Sequence, residues 1–243
     1  MKKILLTSAL ITSLLTQVSV AEIKLGNAGT LSGSVGVSSQ YIFRGFDQNR
    51  DKPAVSASLE WQTPTLGPIQ PYLGVWGSQV GLDYRASSSA GASYEVDYMA
   101  GIRTSIQKLN IDLGYTLFTY EGGKQERILQ QAEYGVKLSL PATKELTLNA
   151  NYFLSDTNGI EISSRKNIAD ETLEAGFSYD LGVAKFVLLY QDWHKQSEVY
   201  NLSLQKNISG IDAELKYVDV NYDTLNTGFT KEEHVVFSLS KSF

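Results

Sequence analysis

Cysteine is absent from the 243 residues, histidine occurs twice and proline five times. Without thiols, a disulfide framework, a thiolate metal centre and a lipidated N-terminal cysteine are all excluded. His194 and His234 lack the spacing of a helical metal site, and no G-x-S-x-G word supplies a nucleophile elbow. Asp219-Val220-Asn221-Tyr222-Asp223 opens like a calcium loop, but Thr224 stands where glycine is required and Thr230 where the bidentate glutamate belongs. The sequence therefore predicts no catalytic residue, no metal ligand set and no cofactor: the chain is not read as an enzyme. Its 21 basic against 26 acidic side chains also exclude the basic footprint of a nucleic-acid binder.

Long apolar runs are scarce as well. The one that stands out, Ile4 to Leu15, follows Met1-Lys2-Lys3 and precedes Ser19-Val20-Ala21, the layout of a secretory signal peptide cut after Ala21. Residues 1–21 are thus expected to be removed on export, leaving 22–243 as a single domain. Beyond that run nothing approaches the roughly 20 apolar residues a membrane helix needs. If the remainder enters a membrane, it must cross as strands.

What is present in quantity is alternation. In Val235 to Phe243, Val235, Phe237, Leu239 and Phe243 share one parity with only Lys241 breaking it, while His234, Ser238, Ser240 and Ser242 share the other. The same two-residue period recurs in Leu31–Arg44, Val55–Trp61, Gln70–Ser78, Tyr94–Arg103, Leu109–Leu117, Ala132–Leu140, Leu146–Ser155, Leu173–Tyr179, Ala184–Gln191, Tyr200–Gln205 and Ile211–Tyr217. That makes twelve runs. In the third, Leu73 and Val75 compete with Tyr72 and Trp76 for the apolar face. Short links such as Gln107-Lys108 and Leu181-Gly182 alternate with long polar ones, Gln79 to Ser93, Asp156 to Glu171 and Asp219 to Glu232. Alternation alone also fits a soluble sandwich. The even count, the alternating link lengths and the aromatics near run ends favour an all-β fold, a single 12-stranded antiparallel transmembrane barrel with both termini periplasmic.

Tyr41-Ile42-Phe43-Arg44-Gly45, Lys52-Pro53-Ala54-Val55 and Tyr94-Glu95-Val96-Asp97-Tyr98 with Gly101 resemble segments of the Gcw_chp family, proteobacterial outer-membrane proteins of unassigned function. The resemblance implies a barrel in the Gram-negative outer membrane and supplies no site roles. Read physically, Tyr41 and Phe43 should face lipid, Gly45 should let the backbone leave the strand, and Arg44 should sit at the inward rim, where pairing with Glu95 or Asp97 and simply pointing into water are equally good expectations.

The polar parity then predicts the lumen lining: Glu60, Glu95, Asp97, Asp112, Glu133, Glu174, Asp212 and Glu214 against Arg103, Lys137, Lys185 and Lys216. A ring of twelve strands about 4.8 Å apart, tilted by about 40°, is roughly 24 Å across between backbones. The expected function is a narrow passive channel for small polar solutes or ions with weak cation preference. The alternative is a non-conducting structural or surface-interaction barrel acting through its outer loops. Expected partners are outer-membrane lipid and lipopolysaccharide and the outer-membrane insertion machinery, with no nucleic acid.

Overall fold

The computed structural model describes residues 22–83, 91–122, 129–156, 171–223 and 230–243. The expected signal peptide lies outside them. Fifteen strands run in chain order: β1 (Ile23–Lys24), β2 (Thr30–Ser38), β3 (Ile42–Phe43), β4 (Phe46–Asp47), β5 (Ala54–Gln62), β6 (Gln70–Asp83), β7 (Gly91–Ile106) and β8 (Leu109–Glu121). They continue as β9 (Leu129–Pro141), β10 (Leu146–Asp156), β11 (Glu171–Asp180), β12 (Lys185–Trp193), β13 (Ser197–Ile208), β14 (Ile211–Tyr222) and β15 (Lys231–Ser242).

Twelve of them, β2 and β5 to β15, form one closed antiparallel ring. Closure is made by β2, which pairs with β5 from Thr30↔Gln62 to Ser38↔Ala54 and with β15 from Ser34↔Ser242 to Ser38↔Ser238. The last residue completes it: Phe243 and Gly33 exchange both backbone hydrogen bonds at 2.9 Å. Gly33 is the residue type this contact requires, because a Cβ there would lie 2.7 Å from the Phe243 ring and 2.7 Å from the Ser58 carbonyl oxygen. With the ring shut, no strand edge is left with unpaired N–H and C=O groups. The short β1 adds to β2 outside the ring, and the Trp61 indole donates to the Ala28 carbonyl at 2.7 Å to hold that N-terminal turn in place.

Both described termini lie at the end of the ring where the links are short. There β7–β8 and β13–β14 are joined by two residues each, with Gln107 at φ 55° and Ser209 at φ 54°, the left-handed backbone that suits a tight hairpin. At the opposite, loop end, β6 runs on to Asp83 and β7 starts at Gly91, so the link expected over Gln79 to Ser93 is shorter than the sequence suggested. The remainder of that link, and parts of the links after Asp156 and Asp223, fall outside the described residues.

The first expected strand is corrected. It was read through to Arg44, yet β2 ends at Ser38, and residues 39–53 turn into the ring before the chain resumes at Ala54. The third resolves in favour of Leu73, which is 52% exposed on the outward, apolar face with Val75 on the same parity, whereas Tyr72 and Trp76 are buried inside. His234, expected just ahead of the last strand, lies within β15.

On the outward parity the strand centres carry no charge. Val35, Leu113, Leu148, Leu202, Leu215 and Phe237 are all exposed there, and tyrosines pair across strands, Tyr115 with Tyr134 and Tyr190 with Tyr200. Such a surface is matched by acyl chains, not by water. Leu113→Arg should therefore lower the free energy of reversible folding into lipid vesicles by about 2 to 4 kcal/mol. Asn149→Arg, on the inward parity, should be much milder, and equal losses at the two positions would mean the faces are assigned wrongly.

Candidate functional site

The inward parity collects the charged residues into the lumen, and the turn-end half holds the tightest group. Arg103 on β7 donates through both terminal nitrogens to Glu60 on β5, at 2.7 and 2.9 Å, and through Nε to Asp112 on β8 at 3.0 Å. Register explains half of this, since Arg103 and Asp112 are directly opposite each other. Reaching Glu60 requires the guanidinium to pass over β6, where the Tyr72 ring lies 3.7 Å beneath it and the Tyr72 hydroxyl donates to Asp112 at 2.8 Å. A planar cation forked onto one carboxylate and stacked on a ring is a role lysine cannot fill.

Midway along the wall the groups are amide-bonded. Asn151, Glu174, Gln191 and Asn201 form a transverse chain over β10 to β13. Asn151 and Gln191 donate to Glu174 at 2.8 and 2.6 Å, and Asn201 donates to Gln191 at 2.8 Å. Glu214 accepts from Gln205 at 2.7 Å with Lys216 at 3.6 Å, and Asp212 accepts from Asn207 at 2.7 Å. Lys137 stands opposite Asp112 and Asn151, and Lys185 opposite Asp180 and Gln205.

The loop-end half is filled by residues 39–53. Their centre is the hairpin of β3 and β4, closed by Ile42↔Asp47, Phe43↔Phe46 and a 2.7 Å bond from the Gln48 N–H to the Tyr41 carbonyl. Its tip is Arg44-Gly45, both at positive φ, 48° and 89°. Arg44 is buried and forks onto Glu133 of β9, the second bond measuring 2.9 Å; Glu133 also accepts from the Ser155 hydroxyl at 2.8 Å. The guanidinium sits 4.9, 5.3 and 5.6 Å from the ring centres of Phe43, Phe153 and Trp193. Ser197 donates to the Arg44 carbonyl at 2.9 Å and Tyr222 to the Gly45 carbonyl at 2.7 Å.

Around this polar tip the packing is apolar. Ile42 and Phe46 lie on a buried patch of Val199, Val218, Val220 and Tyr222. Tyr41 meets Trp76 edge-on at 5.5 Å, Phe43 meets Phe118 at 5.9 Å, and Phe46 meets Tyr222 at 4.8 Å. Counted by the strands that own these partners, the segment touches β6, β8, β9, β10, β12, β13 and β14.

Several expectations change here. Tyr41 and Phe43 were assigned to lipid and are found inside the barrel. Arg44 bonds to Glu133 and not to Glu95 or Asp97, which are instead fully enclosed on β7 close by, with Tyr41 beside Glu95. The lumen list omitted the apolar seat altogether. Its signal was in the sequence: Val218, Val220 and Tyr222 continue the inward parity of Asp212, Glu214 and Lys216, so the inward face turns apolar at the end of that run while Asp219 and Asn221 stand on the outward one. An inward valine needs an apolar partner inside. His194 is exposed in the link after β12, and His234 Nε2 is 3.4 Å from Glu232. No group of three or more potential metal ligands occurs among the described residues.

Comparison with known proteins extends this picture only at the level of fold. A family described as "Bacterial protein of unknown function (Gcw_chp)" matches residues 26–243. No curated protein matches. A chain solved in work on the in-meso crystallization of membrane proteins is 11% identical, with 87% of this chain and 83% of that one covered and a TM-score of 0.56. The KdgM porin is 10% identical, with coverages of 87% and 98% and a TM-score of 0.49. Salmonella typhi OmpF is 9% identical, with coverages of 92% and 100% and a TM-score of 0.46.

The seat of the tip generates a test. A Cβ on residue 45 would lie 2.5 Å from a Val220 methyl, and the backbone there is left-handed. Gly45→Ala should destabilise the folded barrel by at least about 1 kcal/mol and shift the emission of Trp76 and Trp193, the indoles that flank the inserted segment. Gly67→Ala is the control, because residue 67 has φ 63° but a Cβ there would meet open space. Identical behaviour of the two variants would remove the packing argument.

Proposed function

The chain belongs to the Gcw_chp family, whose description assigns no activity, and from the barrel itself we propose a narrow channel for small polar solutes or ions in the Gram-negative outer membrane. The observation that carries this reading is the contrast between the two faces of one wall. Outside, exposed leucine, valine and tyrosine suit lipid; inside, the same strands present carboxylates, amides, hydroxyls and ammonium groups that suit water. A ring that only had to fold would have no use for a charged interior.

Membrane placement follows the same logic. Outward charges gather near strand ends, with Glu171, Asp192, Glu198, Asp219 and Glu233 joined by Lys231 at the loop end. Lys231 bridges Asp219 and Glu233 at 3.1 Å each. Below them Tyr94, Tyr152, Tyr190, Tyr200 and Tyr217 stand at the height where amphipathic rings meet headgroups. These features support a placement in which the loop end faces the lipopolysaccharide leaflet and both termini face the periplasm, reached by export and by assembly through the outer-membrane insertion machinery.

Selectivity follows from the charges left over inside. The eight acids and four bases of the wall give −4, and Arg44, brought in by the inserted segment, makes −3. Much of this is paired, as in Arg103 with Glu60 and Asp112, Arg44 with Glu133 and Lys216 with Glu214. Glu95 and Asp97 have no basic partner among the described ion pairs but are enclosed and not open to a passage, so the negative excess that solutes would meet is smaller than the formal count and supports a weak preference only.

The second reading, a non-conducting barrel acting through its outer loops, is favoured by one observation: residues 39–53 fill the loop-end half of the lumen. Planar-bilayer recordings of the purified protein separate the two. The channel reading expects small unitary currents, with a reversal potential in a salt gradient that indicates weak cation preference and fades as salt rises, because the charges are screened. Anion preference would defeat the charge argument, and silence would favour the second reading.

A further inference from the structure

We propose that residues 39–53 are a displaceable gate, latched by the Arg44–Glu133 pair, which closes the loop end of the lumen in the state described and opens by swinging outward. The inference rests on the channel reading and adds a moving part to it.

First, the barrel wall does not depend on the segment. Its two ends, Ser38 and Ala54, are paired directly with each other, and β2 and β5 remain in register along nine residue pairs. Antiparallel neighbours of this kind are usually joined by a few residues. Of the 15 residues actually present only Ser39 extends the ring's hydrogen-bond ladder, exchanging bonds with the Phe237 backbone through its N–H and hydroxyl, so from Gln40 onward the segment can leave the lumen without breaking a ladder bond of the wall.

Second, the segment is built to move as one piece. Gln40 on its outgoing leg donates to Asp51 on its returning leg, and Gln48 closes onto Tyr41. The carboxylate of Asp47 accepts from the N–H groups of Asn49 and Asp51, and the Asn49 amide donates to the carbonyls of Lys52 and Pro53. Attachment near its base is slight: Gly81 donates to the Gln48 carbonyl and Ser39 to the Phe237 carbonyl.

Third, the inserted state combines a good seat with standing costs. In its favour are the apolar patch under Ile42 and Phe46 and the forked ion pair. Against it stand enclosed polar atoms: Arg44 Nε and Asp97 Oδ1 have no hydrogen-bond partner among the described residues. One anchor is also contested. The Tyr222 hydroxyl has a single proton but two acceptors, the Gly45 carbonyl at 2.7 Å and Glu232 Oε2 at 3.0 Å. A partner for that hydroxyl is therefore in place whether the tip is docked or gone, as a two-position element requires.

The test uses single-channel recording of the full-length protein in planar bilayers. Arg44→Gln and Glu133→Gln each break the latch and should raise conductance or open probability severalfold over the parent. The chain has no native cysteine, so a Phe46→Cys/Tyr222→Cys double variant offers two thiols on opposite sides of one contact. Unbridged, it should conduct more than the parent; joined by a short bis-methanethiosulfonate, which forms a disulfide with each thiol as methanesulfinate leaves, it should close, and reduction of those disulfides should reopen it. That reversibility separates gating from misfolding. Currents from a silent parent only after the latch is broken would support the gate and defeat a permanently open channel. If the parent conducts and neither latch variants nor bridging alter its current, the gate is overturned while the channel reading stands. If no variant conducts under any condition, both are overturned.

Discussion

Closure of the ring is the constraint on which the other properties depend. Twelve strands are wrapped so that the first pairs with the last, and the exchange between Gly33 and Phe243 completes that seam with the chain's final residue. Once every strand has two neighbours, the period-two alternation is forced into an inside and an outside, and each side must suit its own medium. The apolar exterior and the charged interior are therefore one property of the sequence seen from two sides.

The interior of such a ring is too wide for facing side chains to fill, and the protein treats its two halves differently. Toward the turn end, long side chains reach one another across intervening strands: Arg103 bonds to Glu60 over β6, with Tyr72 as a spacer. Toward the loop end the wall side chains are supplemented by backbone. Residues 39–53 bring Tyr41, Ile42, Phe43 and Phe46 into the space, together with one cation for Glu133. A buried ion pair adds little net stability because both partners lose their hydration, but its fork geometry admits few poses. Arg44 thus fixes where the segment sits, and it holds the segment mainly because losing either partner would strand the other's charge in the interior.

Most of the ring was legible in the sequence because a single rule, alternation, was repeated twelve times with turn residues between. The third strand was ambiguous since Tyr72 and Trp76 are large and apolar yet point inward, where they serve Arg103 and Tyr41. The inserted segment was misread for a related reason. Tyr41 and Phe43 continue the parity of β2 without a break, and nothing local distinguishes a ring meant for lipid from one meant for a lumen. The distinguishing evidence lay far along the chain, in valines at 199, 218 and 220 that turn the polar face of their strands apolar. A reading confined to one run at a time could not connect them to Tyr41-Ile42-Phe43. For Arg44 a carboxylate partner and open water were equal expectations from the sequence, because what it meets depends on how deep the tip reaches, which only the fold determines.

The separation between the tip and its anchors orders events in time. Arg44 and Gly45 lie 153 and 177 residues ahead of Ser197 and Tyr222, which receive them. During synthesis the segment emerges long before the residues that seat it. Only when β13 and β14 have joined the sheet, and the last strand has brought β2 round to face them, can the apolar patch stand opposite Ile42 and Phe46. The order of the chain thus makes the seat of the tip one of the later parts of the wall to exist.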